Sequence, residues 1–332
     1  MSASTATPSP EPDVPLRAVV IGCGWIGAGT ALDPATVGVQ SHAEAYARHP
    51  RITLAGLADY DLTRAKTAAT AFGPCEVFDD PAVMLEKLRP EIVSICTPDE
   101  SHAAMLRLAL AKSSTRAVLM EKPLAVTVAE AHALVQTASQ QGVVLSVNYS
   151  RRFCPAFRHL RDELQQGVFG RVQQVHGYYG KGIIHNGTHW IDLLRYLISD
   201  IERVIVPTAL KPDEHTPSAQ IICAGGIPAT LSALDHTAFT LFEMDIIGTA
   251  GRVRILDGGH RILRACTVES PLYAGYVNLG DEQIEERCLK DAIVHAVNDL
   301  LACLDGRAPQ PACTGADAVA CLETATAILA VA

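Results

Sequence analysis

The sequence predicts an α/β fold whose first half is a doubly wound parallel sheet. Short apolar, β-branched runs recur from residue 17, helical segments with start and stop signals separate them, and a glycine triplet closes the first run. Near-continuous apolar strands alternating with helices imply a parallel sheet covered on both faces. With 332 residues the chain has room for two domains, each with its own core.

The opening stretch, MSASTATPSPEPDVP, is small, polar and Pro-rich. Such a composition buries too little surface to offset ordering entropy, so residues 1–15 are expected to form a disordered tail. A Rossmann-type domain then covers 16–149. Its strands are RAVVIGCG, ITLAGLAD, EIVSICTP, RAVLMEKP and VVLSVNY, each bounded by turn residues. Past the glycine triplet, AGTALDPATVGVQ carries Gly29, Pro34 and Gly38, which interrupt the helical pattern until SHAEAYARHP. This insertion is expected to hang over the mouth of the site. DDPAVMLEKLRP has Asp80 as N-cap, Pro81 at the first helical position and Pro90 as a stop. TVAEAHALVQTASQQG starts on Thr127 and ends at Gly142.

Composition narrows the function. The chain is 48% hydrophobic, yet no apolar run approaches the roughly 18 to 20 residues of a membrane span. The tail has neither the basic start and apolar core of a secretory signal nor the arginines of a transit peptide, which points to the cytoplasm. Ten scattered cysteines form no C-x-x-C pair or zinc spacing and read as reduced, structural thiols. A net charge of -9 with mixed signs argues against nucleic acid as a partner.

The first strand runs into GCGWIG, a G-x-G-x-x-G loop spanning Gly22, Cys23, Gly24, Trp25, Ile26 and Gly27. Alone the match is weak in a chain of 24 glycines; the strand before it and a second strand ending in Asp59 give it context. The glycines permit a tight turn and close approach of N–H groups to a pyrophosphate, and the Asp59 carboxylate accepts from ribose hydroxyls. Asp59 followed by Tyr60 favours NAD over NADP, with Arg64 pulling the other way. Asp59 lies 32 residues beyond Gly27, against a usual interval of about 20, and the insertion accounts for the excess.

Lys122, in EKP, follows a strand at the carboxyl edge of the sheet, where open α/β sheets bind ligands. A lysine buried near a cofactor lowers its pKa or donates to a substrate oxygen, and Glu121 beside it adds a local charge. Thr97, Pro98 and His102 of CTPDESH sit between strand and helix, where they line the cofactor cleft. Asn148 and Tyr149 end the last parallel strand near the expected nicotinamide. Arg151 and Arg152 follow, placed either to bind a phosphate or sugar hydroxyl or to form salt bridges at the domain junction.

HNGTHWIDLLRYL leaves three readings open: a metal site, a proton-transfer site, or the polar start of a helix. His185, His189 and Asp192 would supply three metal ligands. Asn186-Gly187 between the histidines is a turn signal that would keep the imidazoles off consecutive turns of one helix. No metal is expected, and Asp192 is expected to fix the helix or a ring nitrogen of His189.

At GCGWIG, ADYDLTRA, CTPDESH and EKPLA, in this order and spacing, the chain resembles the Gfo/Idh/MocA family. The match continues through VNYSRRFCP, GTHWIDLLRYL and DIIGTAGRVRI, so it covers residue 17 to about 260. The resemblance implies a nicotinamide-dependent sugar or cyclitol oxidoreductase, homodimeric or homotetrameric. It also implies that 150–332 form an α+β substrate-binding and oligomerisation domain on a large open, mostly antiparallel sheet. The pattern of the second half agrees: GRVQQVHGYYG, IERVIVPTALK, AQIICA, IPATLSALDH, LFEMDIIG, RVRILDG and HRILRACTV read as strands, with Gly225-Gly226 as a tight hairpin. Helices follow at LKDAIVHAVNDLLACLDG and GADAVACLETATAILAVA.

By the same resemblance His189 is the catalytic histidine, base in oxidation and acid in reduction. Lys122 is its catalytic, substrate-polarising partner. Many family members carry an aspartate four residues before the histidine; here His185 stands there, with an accessory catalytic or substrate-binding role. Tyr149, Arg152 and Asn186 complete the expected substrate contacts. Gly22 to Gly27, Asp59, Tyr60, Arg64, Thr97, Pro98, His102, Glu121, Lys122 and Asn148 are the expected cofactor contacts.

The resulting expectation is an NAD-dependent dehydrogenase oxidising a secondary ring hydroxyl of a sugar, amino sugar or aminoglycoside, nucleotide sugar or cyclitol, or the reverse. By resemblance this step fits ahead of transamination in a biosynthetic pathway. Two further readings use the same cofactor: a redox-elimination glycosidase, and a non-catalytic NAD-binding regulator.

Overall fold

Six strands, β1 (Leu16–Ile21), β2 (Ile52–Ala58), β3 (Glu76–Phe78), β4 (Ile92–Ile95), β5 (Ala117–Met120) and β6 (Val144–Val147), form one parallel sheet. Their order is β3-β2-β1-β4-β5-β6. Every side chain of β4 and β5 is buried, as a sheet covered on both faces requires. The computed structural model describes residues 15–33, 38–205, 213 and 215–331. Apart from Pro15, the expected tail lies outside the described residues.

The helices of this half are α1 (His42–Arg48), α2 (Leu62–Ala69), α3 (Pro81–Leu88), α4 (His102–Leu110) and α5 (Val128–Gln140). Asp80 accepts from the Ala82 N–H at 2.7 Å and Thr127 from the Glu130 N–H at 3.3 Å, the two caps the sequence indicates. The insertion makes a 3-10 turn over Gly29–Leu32, and residues 34–37, expected over the mouth, lie outside the described residues. Its far end is tied to the second half: the Val39 N–H donates to the Asp291 carboxylate at 2.7 Å.

The second sheet has nine strands: β7 (Val172–Tyr179), β8 (Ile201–Ile205), β9 (Ala219–Cys223), β10 (Ile227–Ala233), β11 (Glu243–Gly248), β12 (Gly251–Leu256), β13 (Arg261–Glu269), β14 (Val277–Leu279) and β15 (Gln283–Glu286). They run in the order β14-β13-β12-β11-β7-β10-β9-β8, with β15 also on β13. All pairs are antiparallel except β7 with β10. Gly225 and Gly226 turn the β9–β10 hairpin with φ of +80° and +77°, which a two-residue hairpin demands.

Two helices, α6 (Pro155–Gln165) and α7 (Thr188–Leu197), lead into and away from β7. Trp190 of α7 is fully buried against Gly177 of β7, where a Cβ would stand 1.7 Å from the indole nitrogen. The indole N–H donates to Glu243 O at 3.2 Å. This seating fixes the helix that carries His189. No described helix is long and apolar enough to cross a membrane.

The last two helices, α8 (Ala292–Leu304) and α9 (Gly315–Val331), return across the expected boundary at 149/150. α8 lies against α1, β5 and β6, and α9 against α5 and β6. The Val147 N–H donates to Cys313 O at 3.2 Å, and Arg51 makes a two-pronged pair with Asp305 at 2.8 and 2.7 Å.

Candidate active site

The glycine loop joins β1 to α1 where the strand order reverses, the usual ligand crevice of an open α/β sheet. Gly22, at φ +93°, lies so close to the end of β4 that a Cβ would be 2.5 Å from Cys96 O; one on Gly27 would be 1.9 Å from Gly22 O. Gly24 is different: a Cβ there would meet nothing within 4 Å. Asp59 directly follows β2 and braces the loop, accepting from the Cys23 N–H at 2.8 Å and the Asp61 N–H at 2.9 Å. Arg64 stands 3.3 Å from Asp59 and stacks on Tyr60 at 5.3 Å.

A cleft of about 510 Å³ opens here, lined by Gly22, Gly24, Asp59, Tyr60, Arg64, Thr97 and Pro98. Pro81, Ser101 and Met105 also line it; Ser101 lies within CTPDESH, whereas Met105 belongs to no motif. Trp25, within the loop, is exposed. Cys23 is buried with its thiol against Ala58 O, and Ile26 accepts the His42 N–H through its carbonyl, so these two anchor the loop. Thr97 Oγ1 and Asn148 Oδ1 are buried without partners. An open Gly24 face and orphaned polar atoms at neighbouring strand ends fit a dinucleotide that brings its own hydroxyls and amides.

The turn Glu121-Lys122-Pro123 follows β5, with a cis peptide before Pro123. Glu121 is held from beneath: His42 Nε2 lies 3.1 Å and the Asn148 amide 2.6 Å from its Oε1. His42 Nδ1 reaches Ser94 at 2.8 Å, and Tyr46 reaches the same hydroxyl at 2.7 Å. Burial pushes the Glu121 carboxyl up, but His42, Asn148 and Lys122 outweigh it and the net direction is down. Glu121 is thus a carboxylate that braces the lysine turn. Lys122 donates to His185 O at 2.8 Å. Burial lowers its pKa, with Glu121 and Asp99 opposing and Arg151 reinforcing the shift.

His189, in the first turn of α7, stands edge-on to Tyr149 at 5.5 Å and to Phe242 at 6.5 Å. Burial, then the charges of Lys122, Arg151 and His185, push its pKa well below the ordinary value, so the ring is neutral near pH 7. Its Nδ1 has no partner. Arg151 is buried, stacks on Phe242 at 4.3 Å and donates to Gly258 O; burial lowers its pKa to about 10. The cations Lys122 and Arg151 therefore meet the neutral ring of His189 two strands along from the glycine loop.

Several expected contacts sit elsewhere. Arg152 is only 7% exposed and is locked to Asp192 at 2.8 Å, Asp317 at 3.0 Å and the face of Tyr196, away from any substrate. Asp192 consequently serves Arg152, not a ring nitrogen of His189; burial pushes its carboxyl up to about 6 against the pull of Arg152. Tyr149 is buried behind His189. The Asn186 amide donates to Gly180 O at 3.0 Å. His102 is buried with its ring nitrogens 2.6 Å from Pro123 O and 2.7 Å from Thr97 O, so it clamps the two loops together from behind.

Asn186-Gly187 does not break the helix. A π-helical turn over Ile183–Gly187 runs straight into α7, because the wider turn absorbs the glycine without leaving helical winding. His185 and His189 are thus on one continuous helix, His185 at the surface and His189 half-buried against Tyr149 and Phe242. Among the described residues no group of three His, Cys, Asp or Glu side chains is arranged to hold a metal.

Comparison with known proteins agrees with the fold. The model of the oxidoreductase family with an NAD-binding Rossmann fold, Gfo/Idh/MocA, matches residues 16–149. D-glucoside 3-dehydrogenase of Escherichia coli K12 is 31% identical over 158 residues, 48% of this chain and 41% of that protein. The chain spans about half the length of the curated relatives it matches. Levoglucosan dehydrogenase, solved with NADH and L-sorbose, shares the fold with a TM-score of 0.77 at 18% identity, covering 96% of each chain. UDP-N-acetylglucosamine 3-dehydrogenase from Acidithiobacillus ferrooxidans does so with a TM-score of 0.74 at 20% identity, covering 96% of this chain and 98% of that one. Residues 16–149, which carry the glycine loop, Asp59 and the Glu121-Lys122-Pro123 turn, are thus similar to the NAD-binding Rossmann domain of the Gfo/Idh/MocA oxidoreductases.

Proposed function

We propose that the protein is an NAD-dependent dehydrogenase that oxidises a secondary ring hydroxyl of a sugar or cyclitol to a ketone. One observation carries this reading: a lysine and a neutral, partly orphaned imidazole meet beside the dinucleotide loop. Loss of a hydride from a carbinol carbon requires the hydroxyl proton to leave as well. His189 takes that proton, since a ring kept neutral by burial and by neighbouring cations is free to accept it. Lys122 donates a hydrogen bond to the same oxygen and stabilises the charge that develops there. NAD, when bound, supplies the two-electron acceptor. In reduction the roles reverse.

The similarity to D-glucoside 3-dehydrogenase, and the shared fold with enzymes named for UDP-N-acetylglucosamine and levoglucosan, support a sugar or sugar derivative as substrate. A ring ketone is the form a transaminase consumes, which keeps a biosynthetic role within the proposal. Exposed apolar side chains on the second sheet, among them Ile247, Val268, Val277 and Ile284, support a homo-oligomer built on that sheet.

The test is absorbance of reduced nicotinamide with purified protein, NAD or NADP, and a panel of glucosides, nucleotide sugars, anhydro sugars, aminoglycosides and cyclitols. Signal with NAD and one class supports the reading and names the substrate. NAD binding without net reduction on any class overturns it in favour of an eliminating or non-catalytic protein.

A further inference from the structure

We propose that Asp99 is a positioning residue for Lys122, acting across the cleft through His185. The proposal rests on the reading of Lys122 as the group that polarises the substrate. Asp99 begins a short 3-10 turn after β4, in the NAD-binding domain, whereas His185 lies on the π-helical turn of the second domain. Asp99 Oδ2 stands 3.8 Å from His185 Nδ1, and the backbone carbonyl of the same His185 accepts from Lys122 at 2.8 Å. One residue therefore links the carboxylate to the ammonium, by its ring on one side and its carbonyl on the other.

Charge runs the same way. Lys122 is pulled toward its neutral form by burial and by Arg151, and pushed back by Glu121 and Asp99. His185 and His189 face it from the second domain, and His102 stands beside Asp99. Glu121 is already occupied by His42 and Asn148. Asp99, 37% exposed at the mouth, is the carboxylate whose engagement depends on the two domains being together. It keeps Lys122 protonated in the closed cleft and holds the turn whose carbonyl aims the ammonium.

The experiment is the titration of Lys122, followed by NMR of the ¹³C-methylated protein with Lys122→Arg to assign the signal, in wild type, Asp99→Asn and His185→Ala. This readout needs no turnover, so it stands or falls separately from the dehydrogenase reading. Loss of Asp99 is expected to lower the Lys122 pKa by about half a unit or more. His185→Ala should move it the same way, and the double variant no further than Asp99→Asn. In the kinetic arm, the alkaline limb of kcat/KM should shift to lower pH in Asp99→Asn, with KM for NAD unchanged. A Lys122 titration unmoved in both single variants overturns the proposal, as does a rise in KM for NAD with that titration unmoved, which would assign Asp99 to the cofactor.

Discussion

Gly24 differs from its two partners in the loop because its α-carbon faces open space, while Gly22 and Gly27 are pressed against backbone. Gly24→Ala should therefore leave the thermal midpoint nearly unchanged and weaken NAD by about tenfold, roughly 1.4 kcal/mol, in a calorimetric titration. Asp59→Ala should weaken NAD, narrow its preference over NADP and loosen the loop, since the Cys23 N–H loses its acceptor; unchanged discrimination would remove the ribose assignment. Lys122→Ala and His189→Ala should each cut turnover by about a hundredfold or more, roughly 2.7 kcal/mol of barrier, with NAD affinity retained. The folded pKa of His189 lies below its unfolded value near 6.5, so below that pH the unfolded chain binds the extra proton first. Its contribution to stability is complete above about pH 6.5 and declines as the pH falls. A His189→Gln variant should show a flatter decline of thermal midpoint between about pH 7 and 5.

Arg152 joins the turn before α6 to α7 and α9 through two carboxylates. Arg152→Met leaves Asp192 buried without its cation and should cost about 3 kcal/mol or more in urea unfolding. A denaturation midpoint close to wild type would mean that Asp192 takes up a proton at little cost. Nothing local in SRRF or IDLL announces this union, because its partners are 40 and 165 residues away. The same limit hid Asp99, whose role depends on a helix turn from the other domain. What was legible had a local cause. The β1, β2, β4, β5 and β6 strands are apolar runs between turns, α3 and α5 carry their own caps, and the glycine loop and EKP turn are contiguous. β3, β14 and β15 are three or four residues long with few buried side chains, so they leave no period to read. α6 has Pro155 at its start but follows the domain junction directly, and went unmarked.

At the scale of the molecule, sequence order and mechanical grouping differ. α8 buries Ala292, Ile293, Ala296, Val297, Leu300 and Leu301, one continuous face, and packs on α1, β5 and β6 of the NAD-binding half. Residues 1–149 alone expose that seat, and the edge of β6 loses its pairing with Cys313. The isolated fragment should therefore show no cooperative thermal transition, whereas the full chain should; a sharp transition in the fragment would show that its sheet stands without α8 and α9.

α8 also starts beside the insertion, where Asp291 accepts the Val39 N–H, and ends beside Asp305, which grips Arg51 at the opposite edge of the sheet. With α1 running alongside between those fastenings, the pair forms a spine like that of a book. Clamped at both ends in this way, α8 is stitched to the NAD-binding half along its length, so the C-terminal part of the chain acts as a brace for the first sheet.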